Sequence, residues 1–199
     1  MINIALFGAP GSGKGTQSKL LLEKYKHTYI STGDIIREEI AKETPLGKIV
    51  KEVVDKGELL TDEIIISIIE EKIKKGCKSD GFLFDGFPRT VAQAYKLDEL
   101  LLKTGMQISC VISLDVPQEE LIKRLTGRAE KENRDDDKNL NVIQHRIDEY
   151  EKKTAPVADF YRKQNKFYSI DGIGTIEDNF ERIDVIIQQQ IFNRKDAKK

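Results

Sequence analysis

Apolar positions along this chain fall into runs of two lengths. Short, nearly continuous runs occupy residues 2–7, 81–85, 109–115 and 167–171, with a weaker one at 28–30. Such runs suit strands covered on both faces. Longer stretches with helical spacing lie at 14–25, 62–75, 90–103, 118–126, 140–153, 155–165 and 176–192. Their alternation predicts an α/β fold, a parallel sheet with helical crossovers. Thr61-Asp62-Glu63-Ile64 and Thr175-Ile176-Glu177-Asp178 read as helix starts that place acidic groups at positive helix ends. Two stretches interrupt the alternation: residues 31–60, helical, and residues 127–137, polar and strand-poor. Both are candidate flaps, because ligands of open α/β sheets sit beyond the carboxyl ends of the strands, where insertions can close over them.

The 199 residues suit one core. Basic and acidic side chains nearly balance, 33 against 34, so no net field recommends nucleic acid or an anionic membrane as a partner. No apolar run nears the roughly 20 residues that span a bilayer. Residues 1–7 lack the basic start and cleavage site of a signal peptide, so a cytoplasmic location is expected. Cys77 and Cys110 sit in unlike settings, without a CxxC motif, and read as reduced thiols. The stretch 193–199 reads as a frayed, solvated end.

Gly8-Ala9-Pro10-Gly11-Ser12-Gly13-Lys14 matches GxxxxGK between an apolar strand and a helix, the context in which the motif binds phosphate. Glycines let the backbone turn its N–H groups inward, the helix adds its positive end and Lys14 adds a full charge. Gly15 stands where such loops carry Ser or Thr, and the hydroxyl comes one residue later, at Thr16. Asp85 ends an apolar strand and can position magnesium near Thr16 through water; alternatively it caps the turn Gly86-Phe87-Pro88-Arg89. The loop alone leaves a GTPase switch, an ATPase and a small-molecule kinase open.

Five segments in order, GAPGSGKGTQ (Gly8 to Gln17), STGDIIR (Ser31 to Arg37), GELLTDE (Gly57 to Glu63), DGFPRTVAQA (Asp85 to Ala94) and RIDEYEKKTAPVADFY (Arg146 to Tyr161), closely resemble the adenylate kinase family over nearly the whole chain. The resemblance implies a three-layer P-loop α/β/α fold with a five-stranded parallel sheet, an AMP-binding flap at 31–60 and a short lid at 127–137. The remainder, 1–30, 61–126 and 138–199, forms the core domain. It implies magnesium-dependent phosphoryl transfer between ATP and AMP, giving ADP, by a monomer. Carried over by that resemblance, Gly11, Ser12, Gly13, Lys14, Gly15, Thr16, Arg128 and Gly174 serve ATP. Thr32, Arg37, Glu58, Leu59, Leu60, Gly86, Phe87, Pro88, Arg89, Gln93, Arg134 and Arg146 serve AMP, with Lys14, Arg89, Arg128, Arg134 and Arg146 catalytic. Gln93 also suits base reading on chemical grounds, since an amide matches the donor and acceptor edge of adenine.

Arginines suit phosphoryl transfer because each guanidinium can grip phosphate with two prongs. No general base is evident, and an anionic AMP phosphate needs none; His27 and His145 read as surface residues. Many bacterial relatives carry a longer lid with a four-cysteine zinc site. Residues 127–137 contain neither cysteine nor histidine, so no zinc is expected. Asp135-Asp136-Asp137 reads as solvated or paired with lid arginines, and Glu132-Asn133 replaces the family's usual Ser-Gly. A UMP/CMP kinase remains the nearest alternative; Thr32 and Gln93 favour AMP, and Thr90 stands where that group often has asparagine. A noncatalytic nucleotide switch would call for NKxD, whereas the chain has Asn165-Lys166-Phe167-Tyr168.

Overall fold

The computed structural model describes residues 1–77, 80–132 and 135–196. In chain order the elements are β1 (Asn3–Phe7), α1 (Lys14–Lys24), β2 (Thr28–Ser31), α2 (Thr32–Ala41), α3 (Pro45–Asp55), α4 (Asp62–Lys74) and β3 (Phe82–Asp85). There follow α5 (Val91–Lys103), β4 (Ile108–Asp115), α6 (Gln118–Glu132), α7 (Leu140–Glu149), α8 (Val157–Arg162), β5 (Phe167–Asp171) and α9 (Ile176–Asp196). The strands form one sheet in the order β2-β3-β1-β4-β5, and every pairing is parallel.

Strand alternation builds a three-layer sandwich. Along β1, Ala5 and Phe7 enter one core while Ile4 and Leu6 enter the other; along β3, Phe82 and Phe84 face one side and Leu83 the opposite side. The first core receives Ile65, Ile69 and Ile73 of α4 and Leu97, Leu100 and Leu101 of α5. The second receives Leu21 of α1 and Ile183, Ile186 and Ile187 of α9. With both faces covered, β1 is buried along its whole length. The chain leaves β1 toward β2 on one side of the sheet, and β4 lies on the other side, which puts the loop after β1 at the point where ligands of such sheets bind.

Local chemistry sets several helix starts. Ser31 accepts from the Asp34 amide at 3.2 Å and Thr44 from the Gly47 amide at 3.0 Å, with Pro45 in the first turn of α3. Thr175 and Asp178 bond reciprocally, amide to side chain in both directions, at 2.9 and 3.0 Å. Thr61 precedes α4, but its side chain makes no capping bond. Gly47 lets α3 cross α2 closely: a Cβ there would lie 2.0 Å from the Glu39 carbonyl oxygen.

Four expectations change. The helix expected to stop at 126 runs on to Glu132, through Gly127, so the segment 127–132 is helical, and Asp135–Asp137 forms a short 3-10 turn. Ala129, Glu130, Lys131 and Glu132 are good helix formers and outweigh the single glycine. The helix expected over 140–153 gives way at Tyr150 to a wider turn, Tyr150–Thr154, in which the Ala155 amide donates to the Tyr150 carbonyl at 2.9 Å. At the C-terminus, α9 continues to Asp196. His27 is not a surface residue: it is half-buried, its Nε2 lies 2.9 Å from the Ile2 carbonyl oxygen, and Tyr25 packs edge-on at 5.9 Å. Burial lowers its pKa. The short connection to β2 brings it against the start of β1, a contact invisible in the chain order. His145 is exposed.

Candidate active site

A cleft of about 770 Å³ opens beyond the carboxyl ends of the strands. The loop after β1, the α2–α3 segment, the turn after β3, α6 and the start of α9 all contribute to its walls.

The loop is shaped by three glycines with positive φ: Gly8 at 136°, Gly11 at 85° and Gly13 at 103°. A Cβ on Gly8 would sit 2.4 Å from Ser12 Oγ and 2.8 Å from the Leu114 carbonyl oxygen, so only glycine passes between loop and sheet. Lys14 Nζ donates to the Gly8 carbonyl at 2.7 Å and the Ala9 carbonyl at 3.0 Å. Burial lowers its pKa to about 8; Asp85 opposes the shift and Arg89, Arg128 and Arg146 add to it. Gly11, Ser12, Gly13, Gly15 and Thr16 line the same cleft, with Ser12 buried and Thr16 exposed. Asp85 comes from the end of β3, where its Oδ2 accepts from Tyr29 Oη at 3.0 Å and Ser18 Oγ at 3.4 Å. A Cβ on Gly15 would meet that oxygen at 4.0 Å. Gly15 thus sits beside the carboxylate, while the hydroxyl of Ser18 holds it from the next turn of α1.

On the far side, the Gly86 carbonyl is held twice, by Thr32 Oγ1 at 2.9 Å and by Arg89 Nε at 2.8 Å. Burial, with Arg146 and Arg37 nearby, lowers the Arg89 pKa to about 10, opposed by Asp85. At neutral pH the guanidinium remains charged. Arg37 pairs with Asp34. Gln93 is buried; it receives the Arg89 amide at 2.7 Å on Oε1 and donates to Asp62 at 2.7 Å. Glu58, Leu59, Leu60, Phe87 and Pro88 line this half, and Gly174, with φ 113°, lies across the cleft before α9.

Arg128 and Arg146 are joined by Asp137. Its buried carboxylate accepts from Arg128 Nε at 2.6 Å through Oδ2 and from Arg146 Nη1 at 2.6 Å through Oδ1. Asp136 adds a second carboxylate on Arg146 at 2.8 Å. The acidic run therefore pairs with arginines at Asp136 and Asp137. Arg134 lies outside the described residues. Among those described, no group of three or more His, Cys, Asp or Glu is placed to hold a metal.

Residues 6–166 match the family model described as Adenylate kinase. The chain is 46% identical over 187 residues to the adenylate kinase of Flavobacterium psychrophilum, covering 94% of this chain and 98% of that protein. It is 46% identical over 183 residues to that of Parabacteroides distasonis, covering 92% and 96%, and 45% identical over 189 residues to that of Phocaeicola vulgatus, covering 95% and 100%. The chain belongs to the adenylate kinase family.

Within this adenylate kinase cleft, sequence reasoning passed over one cation. Arg124 donates to the Gly172 carbonyl at 3.2 Å and the Ser12 carbonyl at 3.5 Å, and pairs with Glu120 at 2.8 Å. It thereby ties α6 to the phosphate loop and to the turn after β5. Its spacing of four from Arg128 places both on one face of α6, which was the available signal. Tyr29 was also missed; its bond to Asp85 depends on the pairing of β2 with β3.

The Asp137 carboxylate carries a direct prediction. Asp137→Asn leaves Arg128 facing a neutral partner and Arg146 with Asp136 as its remaining carboxylate, and stability to urea falls by about 3 kcal/mol. A loss under about 1 kcal/mol, at the level of an exposed pair, would contradict the structural weight given to it.

Proposed function

We propose that this cleft transfers the terminal phosphoryl group of ATP to AMP, giving two ADP, and so balances adenine nucleotides in the cytoplasm, with the protein acting as a monomer. What supports the reading is that one continuous cleft carries a phosphate loop at one end and, at the other, the buried amide of Gln93 beside Arg37 and Arg89. An ATPase needs only the first half.

Gly11 to Thr16, Arg128 and Gly174 hold ATP, and the segment 127–137 acts as the lid. Thr32, Arg37, the stretch Glu58 to Leu60, the run Gly86 to Arg89 and Gln93 hold AMP, under the flap 31–60. Asp85 and the hydroxyls near it fit magnesium held through water, since a single carboxylate beside a phosphate loop is the usual protein contribution to such a site. Magnesium there would neutralise part of the donor phosphate charge.

Chemistry then needs alignment and dispersed positive charge. An anionic oxygen of the AMP phosphate forms the new bond to the γ phosphorus as the bond to the β-bridging oxygen breaks, and the electron pair leaves with ADP. Lys14 steadies the β and γ oxygens, while Arg89, Arg128, Arg134 and Arg146 spread the charge that builds on the moving group. Lid closure excludes water, which favours transfer over hydrolysis.

The deciding experiment is a coupled assay with ATP as donor and AMP, UMP, CMP and GMP as acceptors. AMP should outperform every other acceptor by a wide margin in kcat/KM; a preference for UMP or CMP would assign the cleft to pyrimidine monophosphates instead.

Lys14 supplies a second test, with a pH dependence. Its pKa in the free protein is lowered to about 8, and donor phosphates raise it by adding negative charge. Between those two values the free protein has lost the proton that the complex keeps, so binding takes up a proton and affinity falls as pH rises through about 8. ATP affinity at pH 9 should be about tenfold weaker than at pH 7. Lys14→Met should abolish this extra dependence and lower turnover by about a thousandfold, as read by calorimetry in buffers of different ionisation enthalpy and by steady-state rates.

A further inference from the structure

We propose that Asp62 is the positioning residue that fixes which way round Gln93 presents its amide, and that this selects a 6-aminopurine over a 6-oxopurine in the acceptor half. The inference rests on the reading that Gln93 faces the acceptor base.

A glutamine side chain is nearly symmetric in shape, and turning its amide over exchanges a donor for an acceptor. Left free, it can read either kind of purine. Adenine offers a donor at its 6-amino group beside an acceptor at N1. Hypoxanthine and guanine invert that order, with an acceptor at O6 beside a donor at N1. Shape alone therefore does not make glutamine selective.

Here both ends of the amide are committed by partners that cannot change role. Gln93 Oε1 faces the Arg89 backbone N–H at 2.7 Å, a group that only donates. Gln93 Nε2 faces Asp62 Oδ1 at 2.7 Å, a carboxylate oxygen. Turned over, the amide would set N–H against N–H at one end and oxygen against carboxylate at the other. Thr90 closes the circuit: its Oγ1 accepts from the Gln93 backbone N–H at 3.1 Å and donates to Asp62 at 3.0 and 3.1 Å. The carboxylate thus receives the Thr90 hydroxyl and the Gln93 amide together.

The partners come from three places: Asp62 opens α4, Thr90 precedes α5, and Arg89 follows the turn after β3. Gln93 is only 1% exposed, so water cannot substitute for a lost partner. Each end keeps capacity to spare, one N–H on Nε2 and one lone pair on Oε1. A base entering the cleft then meets an acceptor and a donor in fixed order, the complement of adenine's 6-amino group and N1.

Asp62→Asn is the decisive variant, because asparagine keeps the size of aspartate but can donate as well as accept. A role in shape or packing is rescued by asparagine; a role in polarity is not. The readout is kcat/KM for IMP divided by kcat/KM for AMP, with ATP as donor. In Asp62→Asn this ratio should rise about tenfold, with the KM for ATP unchanged. Asp62→Ser, whose hydroxyl also both donates and accepts, carries the same test should the asparagine variant fail to fold. A folded variant with the wild-type ratio overturns the proposal. A wild-type protein with no preference for AMP over IMP would instead overturn the reading of Gln93 as the base contact, so the two failures are distinguishable.

Discussion

Mutual repulsion among cations is the constraint around which the cleft is built. Lys14, Arg37, Arg89, Arg124, Arg128 and Arg146 all line one cavity, and burial, with the neighbouring cations adding to it, lowers the pKa values of Lys14 and Arg89 to about 8 and about 10. Such a group stays in place only if each member has somewhere to put its charge. The structure answers with loop carbonyls for Lys14, the Gly86 carbonyl for Arg89, the Ser12 and Gly172 carbonyls for Arg124 and the Asp137 carboxylate for Arg128 and Arg146. A carbonyl holds a cation without cancelling its charge. Lys14 and Arg89, held by carbonyls, therefore keep their full charge at the cleft, whereas Asp34, Glu120, Asp136 and Asp137 offset part of the charge on Arg37, Arg124, Arg128 and Arg146.

The fold supplies that arrangement from strand ends. The loop after β1, Asp85 at the end of β3 and Ser31 and Thr32 at the end of β2 are adjacent because those three strands are neighbours in register, with Leu6 opposite Asp85 and Ser31 opposite it on the other side. Register is enforced by alternating burial, since a one-residue slip would turn Phe82 and Phe84 into the layer that Leu83 occupies. The identity of the residues at the strand ends thus depends on packing well below the cleft.

Much of this was legible in the chain. Five short apolar runs became the five strands within a residue or two at each end, because strands covered on both faces leave an unbroken apolar trace. The glycine loop between β1 and α1 was legible because its signal is local: glycines, a lysine and the start of a helix within a few residues. What escaped was settled by distant partners or by competition between weak preferences. His27 looked like a surface histidine until the lead-in to β2 was brought against the start of β1, across the end of β3. The expected stop at 126 falls just before Gly127 and a polar stretch, and the helix formers that follow prevailed. Asp62 read only as part of a helix start; its contact with Gln93 spans 31 residues and needs α4 and α5 packed together. Arg134 lies where the structure describes nothing.

The cleft is proposed to bind two nucleotides, one through the glycine loop after β1 and one through the Gln93 half. Calorimetric titration of the full chain with ADP, with magnesium withheld so that ADP is not converted into ATP and AMP, addresses this, since ADP fits both halves. Two equivalents of ADP per chain are expected, with Lys14→Met weakening the donor half far more than the other. A single equivalent at saturating ADP, or equal weakening of both equivalents in Lys14→Met, would count against two nucleotide sites.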